Sequence, residues 1–202
     1  MSIEDRLTRG IEIKETIPKA EIAFAFLKPD SLDDLPEIEK ILNEHGLEII
    51  YQEKVRLSGQ TVDEIYKESK GEHFYEAMKG YLTKNDVIVL LVGGPGHEAQ
   101  KTLLSLKKDG GKNGIIREKF QKIPPVSRET MDLWQKGEHP QQDQVSVIIT
   151  QKNVMHTADS TEEALNSLKL ILGPKFEGMK KKGNLPAELW DLFDDENKKQ
   201  EL

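Results

Sequence analysis

Short apolar runs separated by amphipathic stretches organise the first half of the chain. Residues 20–27, Ala-Glu-Ile-Ala-Phe-Ala-Phe-Leu, are nearly continuously apolar, which suits a buried central strand. The run ends in Lys28-Pro29-Asp30. Proline keeps the residue before it out of helix, so Lys28 is expected at a strand end, pointing into a loop. Asp33-Asp34-Leu35-Pro36 has the acidic residues and proline of a helix start. Ile38, Ile41 and Leu42 then share one helical face, and His45-Gly46 closes the helix. Ile49, Tyr51, Val55 and Leu57 mostly alternate, as in a half-buried strand over 47–57. Thr61 and Glu64 have the spacing of a capping box opening a helix that reaches Lys70. Gly71 breaks it, and 73–82 forms a further short helix carrying Phe74, Tyr75, Met78 and Tyr81. An uninterrupted aliphatic strand follows at 87–92, then a Gly93-Gly94-Pro95-Gly96 turn and a helix over 97–106.

Beyond this point the pattern changes. Residues 107–114 form a glycine-rich basic loop, followed by Ile115-Ile116-Arg117. Residues 121–144 are polar and proline-bearing, too long for an ordinary connection and therefore an excursion or a functional loop. Met131, Leu133 and Trp134 within it suggest a short helix or a docking contact. Residues 145–150 are expected to return to strand and lead into Asn153-Val154-Met155-His156. An Asp159-Ser160 turn then starts a helix over 161–172, ended by Gly173-Pro174. The order of elements implies an α/β (α+β) fold of the ferredoxin-like βαββαβ type, a four-stranded antiparallel sheet covered by helices. One domain is expected over 20–172, with an insertion at about 121–144, between an N-terminal arm (1–19) and a C-terminal extension (173–202). The amphipathic patch at 185–193 in that extension is expected to pack on the body or on a subunit partner.

Composition narrows the chemistry. The absence of cysteine excludes disulfides, thiolate metal sites and a cysteine nucleophile. A net charge of -7 argues for solubility and against general nucleic-acid binding, although a local basic patch could still hold phosphate. Residues 1–19 lack the apolar core of a signal peptide, and no apolar run approaches the roughly 20 residues that span a bilayer. A cytoplasmic protein without a membrane partner is therefore expected.

His156 is the side chain best suited to nucleophilic or proton chemistry at neutral pH, though a lone histidine at a strand end is more often structural. Lys28, Arg117, Lys101, Lys107, Lys108 and Lys112 could supply a phosphate environment. Read alone, Phe74 and Tyr66 could be packing residues, Lys28 and Arg117 solvated charges, and Asn153 a turn residue. The chain contains neither a P-loop nor a G-x-G-x-x-G fingerprint. His45, His73, His97 and His139 lack the spacing of metal ligands.

In order along the chain stand an apolar strand ending Lys28-Pro29-Asp30, Tyr66 followed by His73-Phe74-Tyr75, the strand 87–92, Ile116-Arg117-Glu118-Lys119-Phe120, and Asn153-Val-Met-His156-x-x-Asp159-Ser160. With this series the chain resembles the nucleoside diphosphate kinases over about residues 20–172, interrupted by the insertion. The resemblance implies that His156 takes the γ-phosphate of a nucleoside triphosphate as a phosphohistidine and passes it to a nucleoside diphosphate. It implies that Lys28 contacts phosphate and a sugar hydroxyl, and that Tyr66 helps position the histidine and phosphate. Phe74 would stack on the base, Arg117 clamp phosphate and Asn153 bind the ribose. Mg²⁺ would arrive with the nucleotide, bridging its phosphates. Family members commonly assemble, so a homo-oligomer is expected.

The departures from the family pattern lie close to the histidine. Thr157 and Ala158 follow it where a small residue and a serine are usual, and Ser167 stands where a glutamate orients the other ring nitrogen. Lys101 replaces a phosphate-binding arginine, and one ammonium does not reproduce a bidentate fork. Residues 107–113 replace a Thr-Asn-Pro-like loop. These changes suit an enzyme using substitutes from the insertion (Arg128, Glu129 and His139 are candidates), a slow enzyme, or a nucleotide-binding or assembly module with little turnover.

Overall fold

The computed structural model describes residues 22–94, 98–124 and 126–175. Strand β1 (Ile22–Leu27) is followed by a 3₁₀ segment, Pro29–Asp34, and helix α1 (Leu35–Glu44). Strand β2 (Glu48–Arg56), helix α2 (Gly59–Ile65), helix α3 (Tyr75–Lys84) and strand β3 (Asp86–Gly93) come next. Helix α4 (Ala99–Lys107) leads into a two-stranded ribbon, β4 (Lys108–Asp109) and β5 (Lys112–Asn113), and then helix α5 (Ile115–Phe120). The polar stretch contains helix α6 (Arg128–Gln135) and helix α7 (Gln142–Ser146), which runs into a π-helical turn, Val147–Gln151. Strand β6 (Met155–Thr157) and helix α8 (Thr161–Leu172) complete the described chain.

The main sheet has the order β2-β3-β1-β6, and every pairing is antiparallel. This is the expected ferredoxin-like arrangement. The apolar run that gives β1 is buried on both faces because helices cover both. Side chains alternate across a strand, so Phe24 and Phe26 enter a core shared with α2, α3 and α8. Ala23, Ala25 and Leu27 face a second core shared with α1, α4 and α5. Burying each phenylalanine contributes about 1.5–3 kcal/mol, which makes β1 the rigid element against which the site is placed.

Two local expectations are corrected. Residues 145–150 are the end of α7 and the π-helical turn, not a strand. The free edge of β1 is already paired by β6, and 145–150 packs beside α3 instead. A short apolar run fits either state by periodicity alone. Helix α2 starts before Thr61: Ser58 is its cap, accepting a hydrogen bond from the Thr61 N–H at 3.0 Å. The arm 1–19 and the patch at 185–193 lie outside the described residues.

Candidate active site

The site lies where β1 ends and β6 begins. Pairing of Phe26 with His156 puts the imidazole on the phenylalanine face of the sheet. Its ring stacks on Phe26 at 4.9 Å and 23°, and meets Phe24 at 6.5 Å and Tyr66 at 5.1 Å. The residue keeps partial exposure, but Nε2 is sealed and has no hydrogen-bond partner among the described residues. Tyr66 Oη and Asn153 Oδ1 are sealed and unpartnered in the same way. Buried orphans cost about 1–3 kcal/mol each, and their clustering suits a place that takes further polar groups. Thr157 Oγ1 is a fourth orphan, but Thr157 pairs with Ala25 and faces the opposite core.

Three cations surround the imidazole. Lys28 is not loop-pointing as its strand-end position suggests. It is 4% exposed, and its Nζ donates to Gln151 Oε1 at 3.0 Å. Burial, then the nearby Arg117, lowers the Lys28 ammonium to about 7, against an opposing pull from Asp30. Lys107, the last residue of α4, is lowered to about 8 by burial and Arg117, partly offset by Asp159 and Glu163. Arg117 is lowered by burial, and its Nε donates to the Asn153 carbonyl at 3.1 Å. Burial comes first in holding His156 down at about 3, followed by Lys28, Lys107 and Arg117. The imidazole is therefore uncharged at neutral pH, with its lone pair free for chemistry.

Local sequence explains these placements. Gly114 precedes α5, and a Cβ there would sit 2.2 Å from the Ser105 carbonyl and 2.4 Å from that of Leu106. Only glycine lets the basic ribbon close so tightly on α4. Buried Ile116 and Phe120 then seat α5, which points Arg117 inward. Tyr66 is delivered by the end of α2, whose last turn its own N–H closes onto the Val62 carbonyl. Val154 has φ 76, a left-handed backbone that a β-branched residue rarely adopts. This strained residue is fully buried, and its carbonyl accepts from the Lys28 N–H at 2.8 Å. Strain of this kind persists only where the surroundings over-determine it, and here it turns the chain between Asn153 and His156.

Thus Lys28, Tyr66, Arg117, Asn153 and His156 come together, whereas two candidates do not join them. Lys101 has a side chain 79% exposed and paired with Glu98 at 3.1 Å, so the cation that reaches the site from α4 is Lys107. Its place as the last helical residue before the glycine turn was the available signal. Phe74 sits in a separate ring cluster with His73 at 5.6 Å and Trp134 at 6.3 Å. Arg128 and Glu129 are exposed at the start of α6, and His139 Nδ1 accepts locally from the Gln141 N–H. The polar stretch instead supplies Trp134 to the Phe74 ring cluster, and the turn that follows it carries Gln151 to Lys28. Ser167 is buried, Glu163 is engaged by the Asp159 N–H at 2.7 Å, and no carboxylate among the described residues partners His156 Nε2.

A profile of the nucleoside diphosphate kinases matches residues 21–122, half of the chain. The chain belongs to the nucleoside diphosphate kinase family. The match ends where the polar stretch begins, so Asn153 and His156 lie beyond it. Among family relatives, the nucleoside diphosphate kinase of Methanocaldococcus jannaschii is 25% identical over 153 residues, 75% of this chain and 92% of that one. That of Sulfurisphaera tokodaii is 30% identical over 150 residues, 73% of this chain and 86% of that one. Two solved structures share the fold. The NDP kinase of Pyrobaculum aerophilum gives a TM-score of 0.53 at 17% identity, over 75% of this chain and 94% of that one. A transition state mimic of the Borrelia burgdorferi nucleoside-diphosphate kinase, with bound vanadate and ADP, gives 0.54 at 14% identity, over 75% and 86%.

Proposed function

We propose that the chain moves the γ-phosphate of a nucleoside triphosphate to a nucleoside diphosphate through a phosphohistidine on His156. Family membership supports nucleotide phosphotransfer as the general activity. The observation that carries this reading is the convergence of Lys28, Lys107 and Arg117 on an uncharged, partly exposed imidazole. With Nε2 sealed, Nδ1 is the nitrogen we assign to attack. Its lone pair forms the N–P bond while the bond from the γ-phosphorus to the β–γ bridging oxygen breaks, and the diphosphate leaves with that electron pair. A terminal oxygen of the second nucleoside diphosphate then reverses the step. The three cations stabilise charge on the transferring oxygens. Tyr66 packs the imidazole, and its hydroxyl and Asn153 Oδ1, both unpartnered among the described residues, are assigned to phosphate and ribose once a nucleotide opens the site. Phe74 is assigned to the base, whereas Lys101 would act only through phosphate reaching the outer surface of α4.

Mg²⁺ enters as part of the nucleotide complex, in keeping with family use. Among the described residues no three histidine or carboxylate side chains gather into a cage that would hold it independently. We further propose the division into an arm (1–19), a domain (20–172) interrupted at about 121–144, and an extension (173–202), working as a cytoplasmic homo-oligomer. Among the described residues no helix is long and apolar enough to cross a membrane.

A coupled assay with ATP and a second nucleoside diphosphate tests the activity. Ping-pong kinetics are expected, with His156→Ala reduced to background. An activity indifferent to His156→Ala would overturn the proposal. A second reading, a binding or assembly module with little turnover, is favoured by one observation, that His156 Nε2 has no partner among the described residues. It requires nucleotide binding without histidine-dependent transfer.

A further inference from the structure

Phe74 already has aromatic neighbours. The Trp134 indole stacks loosely with it, ring centroids 6.3 Å apart and planes at 29°, and His73 meets both edge-on, 4.8 Å from Trp134 and 5.6 Å from Phe74. A base held between Phe74 and Trp134 would need about 7 Å between the rings, two van der Waals contacts of about 3.5 Å each. It cannot slip in; it must take the place of the indole, itself a fused bicycle like a purine. The indole is tethered as well. Its Nε1–H donates at 2.9 Å to Oγ of the fully buried Ser146, and Gln142 Nε2 donates to the Trp134 carbonyl. The same segment continues through the π-helical turn to Gln151, whose Oε1 accepts from Lys28 Nζ. An aromatic face and an ammonium, both assigned above to the nucleotide, are thus each engaged by a side chain of one contiguous segment. Yet no residue of α6 is fully buried, so little packing holds that helix down.

We infer that the 128–151 segment is an internal competitor for the nucleotide, closed over the base platform by Trp134 and opened when a nucleotide binds. The inference rests on the reading of Phe74 as that platform. A closed state weakens every nucleotide by the same factor, the reciprocal of the fraction open, so it alters affinity without altering base preference.

Titration calorimetry with Mg²⁺ and either ADP or CDP tests this without requiring turnover. Trp134→Ala is expected to bind both about tenfold tighter, the scale of one released stacking contact, and by equal factors. Weaker or unchanged binding, or a gain confined to one base, would overturn it. Ser146→Ala, which keeps the ring but frees its tether, should show part of the same gain. In Trp190→Phe protein, where Trp134 is the only tryptophan, saturating ADP should shift the emission to the red, and an unmoved spectrum contradicts opening. Phe74→Ala added to Trp134→Ala separates the two levels. If it leaves ADP binding intact, the assignment of Phe74 has failed; if it weakens ADP while Trp134→Ala gives no gain, the competitor alone has failed.

Discussion

A histidine kept uncharged by its surroundings is a nucleophile at neutral pH and a liability in acid. Burial first, and then Lys28, Lys107 and Arg117, hold His156 at about 3 against an ordinary value of 6.5. Between those values the unfolded chain binds the proton and the folded chain does not, so stability rises with pH across that window. It is fully present above about 6.5 and is lost as pH falls toward 3. Urea midpoints at pH 7 and pH 5 should therefore fall further for wild type than for His156→Gln, and parallel losses would contradict this. Lys28 is the complementary case. With its ammonium lowered to about 7, it is only partly charged when empty, and a bound phosphate should draw a proton onto it. Lys28→Met is expected to lower kcat/KM by roughly 10²–10³, the scale of one lost donor to a transferring group. A loss below about fivefold in the coupled assay would remove Lys28 from the phosphate path.

At the level of elements, the helices and ribbon that carry the cations depend on one close approach. Gly114 lets the basic ribbon lie against the end of α4, where a Cβ would collide with two backbone carbonyls. Gly114→Ala should cost about 1–3 kcal/mol of stability in urea titration, the usual range for overpacking. It should also lower phosphotransfer, because α5 carries Arg117. A variant as stable as wild type would show that the ribbon is free to shift. The elements themselves were largely legible in the sequence. β1 and β3 are apolar runs of strand length, and α1 has one apolar face with proline in its first turn. Residues 145–150 were not legible, because what makes them helical is the space beside α3 and an edge of β1 already taken.

At the scale of the molecule, sheet order and site have one cause. Because β6 pairs antiparallel with β1, His156 falls opposite Phe26, and the end of β1 brings Lys28 alongside. Lys28, Tyr66, Arg117, Asn153 and His156 could be expected together because their motifs run in order along the chain. Gln151 and Trp134 could not, since their places depend on how an insertion folds back, and no periodicity encodes that; Lys107 stood among several lysines near the glycine-rich loop, set apart only by its place at the end of α4. The central claim is that the phosphate rests on this histidine. Its most direct measurement is incubation of the chain with γ-labelled ATP and Mg²⁺, followed by mapping of the label by mass spectrometry. The proposed mechanism requires an acid-labile, alkali-stable phosphate on His156 that is chased off by added nucleoside diphosphate. Unlabelled wild-type protein, or label on another residue that survives His156→Ala, would contradict it.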